Sequence, residues 1–405
     1  MKPSVIFFQW HLVCDRAYLG ATLQSCFFAG MLVGSLISGV ASDTWGRKEC
    51  LLGFYTLMLL AGLFSSLIDS PAVFAFLRFL VGVGATGFML TRYLVIMEMA
   101  GPRYRTLLGV TDDAFFAVSG MLCTMVAYFV REWRTLLLIY TFPGIACTFF
   151  RWIPESPRWL VAHGYVDEAH SVIMKYGPKK GKESVDSAAL MDLIQNIRKD
   201  QKKEEKKARK YTPLDMLRGE KLRKWTLILV LQWFAVSLLS FGMFLFILQL
   251  AGNLYLNYLI SDLIKLLKFP FAWFLLQRLG RRLTQGVCAV LSASTLFFLI
   301  NIFEDHPLLS TGLALFGTTF QEIMWSAVYL STAELFPTLL RNIAICTGST
   351  SARIGSMLSP YVAMTVSLSL AFPVTIFGVV ALLNGALSYW LPETLFAKMH
   401  QTIEE

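Results

Sequence analysis

The sequence predicts an all-helical protein that crosses a membrane many times, and three observations carry that prediction. Hydrophobic residues make up 56% of the 405 positions and charged residues only 16%, against roughly a quarter charged in soluble domains. Apolar runs of about 20 residues recur along almost the whole chain, each enough to cross a ~30 Å hydrocarbon layer as a helix. These runs lack the alternating polarity of strands, and backbone polar groups in lipid must be satisfied within the fold. Helices rather than a β-barrel follow.

Eleven membrane helices are expected, over 21–41, 50–68, 73–97, 107–130, 135–153, 224–247, 254–276, 285–303, 309–332, 344–366 and 373–391. Short loops decide their direction, because Lys and Arg are retained on the cytoplasmic side. Arg47 and Lys48, Arg103 and Arg105, Arg278, Arg281 and Arg282, and Arg341 fall in alternate loops. The loops between, near 69–72, 248–253, 304–308 and 367–372, hold no Lys or Arg. The C-terminus is then cytoplasmic and the N-terminus external.

This reading divides the chain into an extracellular remnant at 1–20, an N-terminal bundle of five helices at 21–153, and a cytoplasmic linker at 154–223. A C-terminal bundle of six helices at 224–391 and a cytoplasmic tail at 392–405 complete it. The linker mixes charges, as in Lys202-Lys203-Glu204-Glu205-Lys206-Lys207. Short amphipathic helices lying near the anionic inner leaflet are expected there.

The formal net charge of +9 belongs to loops that orient the chain, which argues against a nucleic-acid partner. The seven cysteines show no metal-ligand spacing, and all but Cys14 lie in or beside apolar runs, where a thiol packs as a small hydrophobe. Five histidines sit in loops or at ends, away from any nucleophile. No glycine loop followed by Lys-Ser/Thr is present to cradle a nucleotide phosphate. No enzyme chemistry, cofactor or metal is expected.

The chain repeats itself. Gly46-Arg47-Lys48 matches Gly280-Arg281-Arg282, Glu98 and Arg105 match Glu334 and Arg341, and Pro154-Glu155 matches Pro392-Glu393, with offsets between 234 and 238. These marks in one order describe two parallel halves. The same offset places the counterpart of helix 224–247 before residue 12, so a twelve-helix parent is expected, with its first helix missing here. Each repeated mark lies where a helix meets the cytoplasm. Asp43, Arg47, Lys48, Glu98, Arg105 and Glu155, with Arg281, Arg282, Glu334 and Arg341, are therefore expected to form a conformational latch that holds the two halves in one state. The recurring glutamates are what plain topogenic charge does not explain.

Charged residues in mid-helix are functional candidates, because an unpaired charge in hydrocarbon is costly. Lys265, Glu322 and Arg353 lie roughly 14–20 Å from the cytoplasmic helix ends at 1.5 Å per residue, all in the second half. Arg353 and Lys265 are expected to attract a substrate carboxylate or sulfonate, Arg through its bidentate fork, with Glu322 pairing with one of them. A permanent buried salt bridge among the three is the competing reading. Asp262, one turn from Lys265, is placed to neutralise it, and Arg92 suits a local ion pair near Glu98. Asp112 and Asp113 are placed to face the inner vestibule or to bind the latch arginines. Trp233, Phe241 and Tyr329, with Phe234 and Trp325, are candidate aromatic walls of a cavity. Gly82, Gly84 and Gly87 suit close helix packing.

The stretch Gly39-Val40-Ala41-Ser42-Asp43-Thr44-Trp45-Gly46-Arg47-Lys48 resembles the loop motif of the major facilitator superfamily. Pro154-Glu155-Ser156-Pro157-Arg158-Trp159 is a signature shared with its sugar porters. Leu12-Val13-Cys14-Asp15, Thr332 to Asn342 and Gly348 to Tyr361 are more selective, and resemble the organic cation, anion and carnitine transporters of solute carrier family 22. The resemblance implies two six-helix bundles around an aqueous cavity and alternating access. It also implies a cysteine-rich external loop, so that Cys14 lacks its usual disulfide partner here. Lys265 stands where cation transporters of the family carry Glu, and Ser240-Phe241 replaces a family tyrosine pair. The resemblance therefore implies a plasma-membrane carrier of small organic anions or zwitterions, driven or not by Na+ or H+. An organic cation carrier and a transport-dead relative acting as a receptor are the alternatives.

Overall fold

A computed structural model describes residue 10 and residues 17–99, 105–147, 152–176, 187–207, 216–217, 219–247, 250–302, 305–336 and 338–395. Cys14 falls outside them, as do the ends of the chain. Thirteen α-helices form, with no strand among the described residues. The first five are α1 (Ala17–Trp45), α2 (Arg47–Leu67), α3 (Pro71–Met99), α4 (Arg105–Phe129) and α5 (Trp133–Cys147). Three polar helices follow, α6 (Pro157–His163), α7 (Val166–Tyr176) and α8 (Ser187–Lys207). The rest are α9 (Glu220–Phe246), α10 (Leu254–Ile302), α11 (Pro307–Leu335), α12 (Thr338–Met364) and α13 (Ala371–Ser388).

All eleven expected membrane helices have a helical counterpart, because α10 is two of them joined at one residue. Gly280, at φ 82°, breaks the helix without a loop. Gly46, at φ 103°, does the same between α1 and α2. Only glycine adopts such angles without strain, so the sharp reversal belongs to the Gly of each Gly-Arg motif. Among the described residues, six stretches are long and apolar enough to cross a membrane on length and composition alone, within α1, α2, α3, α9, the second part of α10 and α13. By contrast α11 and α12 are rich in Ser, Thr, Gln and charge, as helices facing an aqueous path must be.

The sequence repeat is also a structural repeat. Helices α3 and α11 begin, and end, 236 positions apart, and the two Gly breaks precede them at the same place in the order. Within the first half α3 packs on α1 and α2, and α2 on α5. In the second half α10 packs on α11 and α13, while α9 packs on α11, α12 and α13. The second half holds a continuous core that includes Trp233, Leu239, Met243, Phe246, Leu296, Ile323 and Phe377. A separate small core of Leu160, Val161, Ala169 and Ile194 ties α6, α7 and α8 together. Ser156 caps α6 by accepting the Trp159 N–H, and Gly164 closes it at φ 90°.

Close approach of α1 and α3 depends on glycine. A Cβ on Gly30 would lie 2.0 Å from the Phe79 carbonyl oxygen, and one on Gly82 would lie 2.2 Å from that of Phe27. Gly84 and Gly87 meet Phe54 and Met58 of α2 in the same way. These are the small-residue contacts by which helices associate in lipid, where no hydrophobic force drives them together.

Candidate functional site

Among the described residues, two seams join the halves. At the first, α1 meets α12: the Thr22 and Tyr361 hydroxyls are 3.2 Å apart, and Ser25 Oγ donates to the Met357 carbonyl at 2.7 Å. Phe28 stacks edge-on against Phe241 of α9 with centroids 4.9 Å apart. At the second, α4 meets α10: Tyr128 and Tyr255 rings lie 5.5 Å apart, and a Cβ on Gly120 would sit 2.5 Å from an Asp262 carboxylate oxygen. Both seams lie at the ends of these helices away from the Gly-Arg motifs. Ser25, for instance, is 18 residues and roughly 27 Å along α1 from Asp43. Towards the motifs the same faces open, with Leu36 and Val40 of α1 and Ile354 of α12 exposed at 57%, 68% and 46%. The halves thus close at one end and part at the other.

Inside this cleft the charged residues sort into pairs. Lys265 donates to Asp262 at 2.9 Å, one turn back on α10. Glu322 on α11 accepts from Lys268 at 2.7 Å. This corrects the expected pairing of Glu322 with Arg353 or Lys265. Lys268 lies one turn beyond Lys265 on the side of α10 that packs on α11, while Lys265 is already engaged by Asp262. The depth of Lys268, 12 residues before the Gly280 break, matches that of Glu322 before Glu334, and is the signal that would have found it. Arg353 is buried at 9% exposure, and no carboxylate pairs with it among the described residues. Its guanidinium lies within electrostatic reach of Tyr329.

The aromatic candidates differ in role. Trp233 is 1% exposed and donates its indole N–H to Thr332 Oγ1 at 3.0 Å. It fits because Gly348 has no Cβ, which would meet the indole at 2.5 Å. Trp233 is therefore an internal brace in this conformation, a correction to its expected place on a cavity wall. Tyr329 packs on it with centroids 4.4 Å apart and keeps 42% of its own surface exposed. Phe241 belongs to the first seam.

The doubled signature builds two matching junctions. The Glu155 carboxylate accepts the backbone N–H groups of Arg47 at 3.0 Å and Lys48 at 3.1 Å. Glu393 accepts those of Arg281 at 2.9 Å and Arg282 at 3.0 Å. Each glutamate thus caps the helix that follows a Gly break, where orphan N–H groups and the helix dipole favour an anion. The Arg47 side chain reaches Glu98 at 3.1 Å and also Asp43. Arg281 reaches Glu334 at 2.7 Å, and Thr394 Oγ1 donates to the other Glu334 oxygen at 2.6 Å. Gln277 stands where Asp43 would be echoed.

These Arg–Glu contacts join consecutive helices of one half, not one half to the other as expected of a latch between halves. Lys48 and Arg282 contribute backbone N–H groups here, and the Arg282 guanidinium lies over Tyr389. Arg341 is half-buried one turn into α12. The side chains of Arg105, Asp112 and Asp113 fall outside the described residues.

Burial opposes ionisation of Glu393, but four backbone donors, from Arg281, Leu395, Arg282 and Thr394, outweigh it and hold its carboxyl below the usual carboxylate range. A depressed folded value stabilises the protein above the unfolded value and is lost as pH falls through the folded one. The melting temperature of wild type is therefore expected to exceed that of Glu393→Gln by a constant margin at neutral pH. That margin should shrink only in acid, below about pH 4. A margin unchanged down to pH 2 would refute the capping account.

A two-bundle helical fold with a cleft between the halves and paired charges inside it defines a multi-pass transporter of the major facilitator class. The model of the "Sugar (and other) transporter" family matches residues 15–404, and the chain belongs to that family, among its solute carrier family 22 members. It is 34% identical to the organic cation transporter protein of Drosophila melanogaster, over 98% of this chain and 73% of that one. It is 33% identical to human organic cation/carnitine transporter 2, over 99% of this chain and 72% of that one. Bovine solute carrier family 22 member 7 is 32% identical, over 99% and 73%. The inward-open structure of the xylose transporter XylE from E. coli superposes with a TM-score of 0.73 at 17% identity, covering 95% of this chain and 88% of that one. That likeness carries the fold alone.

Proposed function

We propose that this protein carries small organic anions or zwitterions across the plasma membrane by alternating access, with the Gly-Arg junctions and the C-terminus on the cytoplasmic side. The observation that carries the substrate charge is Arg353. Lys265 and Lys268 each have a carboxylate within 3 Å, whereas Arg353, buried on α12, has none among the described residues. A buried guanidinium without an anion is unfavourable. A substrate carboxylate bound across its planar fork removes that penalty.

The bundle boundaries at 21–153 and 224–391, joined by the linker at 154–223, are part of the same proposal, supported by the internal repeat. The parting of the halves at the Gly-Arg end supports an inward-facing state, with the two seams as the gate that must open on the other side. The junctions then act as joints that keep each half rigid as it rocks, rather than as clasps between halves.

The reading is tested by tracer uptake in cells, comparing carnitine, fluorescein and tetraethylammonium, with surface labelling to count the transporter. Uptake of carnitine or fluorescein is expected. Arg353→Ala should reduce it about 30-fold or more, the loss of roughly 2 kcal/mol or more that follows removal of one partner of a buried charge pair. Uptake of tetraethylammonium alone would favour the organic cation reading, which the names of two relatives support. Surface-expressed protein with no uptake of any of the three would favour a receptor.

A further inference from the structure

Arg353 accounts for an anion being taken; the two ion pairs on α10 and α11 bear on how much charge that anion carries. The charged residues inside the helices of the second half, away from their ends, are Asp262, Lys265 and Lys268 on α10, Glu322 on α11 and Arg353 on α12. Each lysine is already matched. Lys265 lies 2.9 Å from Asp262, whose side chain is 9% exposed, and Lys268 lies 2.7 Å from Glu322. Three cations against two carboxylates leave a single positive charge. It rests on the guanidinium that has no carboxylate among the described residues.

The carboxylates are held by more than their lysines. Asp262 fills space that Gly120 of α4 leaves, for a Cβ on Gly120 would stand 2.5 and 3.1 Å from its two oxygens. While the second seam is shut, that carboxylate has no room to turn from Lys265 towards α4. Lys265 is held in turn by the Phe244 ring, 5.4 Å from its ammonium. Glu322 and Lys268 come from different helices, so their pair ties α11 to α10. Arg353 lies within electrostatic reach of Tyr329, which is seven residues, or roughly 10 Å, along α11 from Glu322.

A buried ion pair adds little net stability, because burial costs its charges about what their attraction returns. What each pair removes is a free cation from the neighbourhood of Arg353. We propose that Asp262 and Glu322 are specificity-determining residues: built-in counter-anions that mask Lys265 and Lys268 and so favour substrates with one carboxylate, monoanions or zwitterions, over dianions. The proposal rests on the Arg353 reading above. A dianion brings a second negative charge for which no cation is left, and the two carboxylates repel it. At an effective protein dielectric of about 20, one unit charge roughly 10 Å away alters affinity about tenfold. Neutralising either carboxylate unmasks a lysine and turns the preference towards the dianion.

The test uses the full chain in lipid nanodiscs and two probes that differ by one charge at neutral pH, phthalate and its monomethyl ester. The readout is the concentration of each that gives half the maximal rise in Tm. Wild type is expected to bind the ester about tenfold more tightly than phthalate. Asp262→Asn should move that ratio about tenfold towards phthalate, and Glu322→Gln should do so independently. Combining Asp262→Asn with Lys265→Met removes the whole pair and restores the single charge. The ratio should then return to that of wild type, which a loss of packing alone would not produce. Equal binding of both probes by wild type overturns the inference, as does a ratio unmoved in the single variants. If neither single variant is recovered folded, the wild-type ratio decides. Arg353→Gln separates the two readings. Loss of both probes there keeps Arg353 as the anchor whatever the ratios do, whereas retention of both overturns the Arg353 reading and this inference with it. Absence of any Tm rise in wild type overturns both as well.

Discussion

Gly82→Leu is expected to leave almost no folded protein. Its side chain would start 2.2 Å from the Phe27 carbonyl oxygen and 2.9 Å from the Met31 nitrogen, and both obstacles are backbone, so no rotamer change relieves them. Helices α1 and α3 must separate along their length, which breaks the reciprocal contact at Gly30 as well. Overpacking of this kind costs about 3 kcal/mol or more, a large part of the total stability of a typical domain. Gly39→Ala is the control, since nothing lies within 4 Å of a Cβ there. It should be neutral or slightly stabilising, by up to ~1 kcal/mol of helix propensity. The measurement is the monodisperse fraction after detergent extraction, with surface labelling in cells. Equal recovery of Gly82→Leu and Gly39→Ala would show that the α1–α3 contact does not hold the first half together.

The second large effect concerns the Arg281–Glu334 pair. Both side chains are mostly buried, at 11% and 20% exposure, so removing one leaves the other charged and poorly solvated. Glu334→Gln alone is expected to cost roughly 3 kcal/mol, as for other broken buried pairs, and to slow transport by at least about tenfold. The double variant Arg281→Met, Glu334→Gln should cost less than the two single losses added together. A coupling of about 1–3 kcal/mol in a double-mutant cycle, read by thermal melting, is the expected size. Additive losses would mean that the two side chains do not act together. Transport by the double variant should stay low even if its Tm recovers, because the rigid junction is what the rocking halves require.

The repeated marks were legible because they are covalent neighbours: Gly46-Arg47 and Gly280-Arg281 stand out as words, and the spacing from Arg to Glu, 51 residues to Glu98 and 53 to Glu334, is nearly the same. Their chemistry was half legible. That Glu155 and Glu393 would face basic residues could be expected from charge; that they bind backbone N–H groups and not the Arg side chains could not. A nitrogen freed by a Gly break carries no sequence signal of its own. Lys268 was passed over although it lies mid-helix, 12 residues before the Gly280 break, because nothing in the neighbouring sequence marks it as the partner of Glu322. Trp233 read as a cavity aromatic because composition cannot tell an exposed ring from one seated on Gly348.

The amino-acid sequence by itself determined that this chain is a bundle of membrane helices in two parallel repeats, and that Lys265, Glu322 and Arg353 lie deep in them. Those properties follow from hydrophobicity and spacing, which local geometry reads directly. The tertiary structure alone decided which of the buried charges are paired, because pairing depends on how α10, α11 and α12 turn their faces towards one another. It also decided where the halves touch, since Ser25 and Met357 are 332 positions apart and meet only when both bundles are built. Arg353 was legible as a charge, and only the packed fold shows that no carboxylate pairs with it among the described residues.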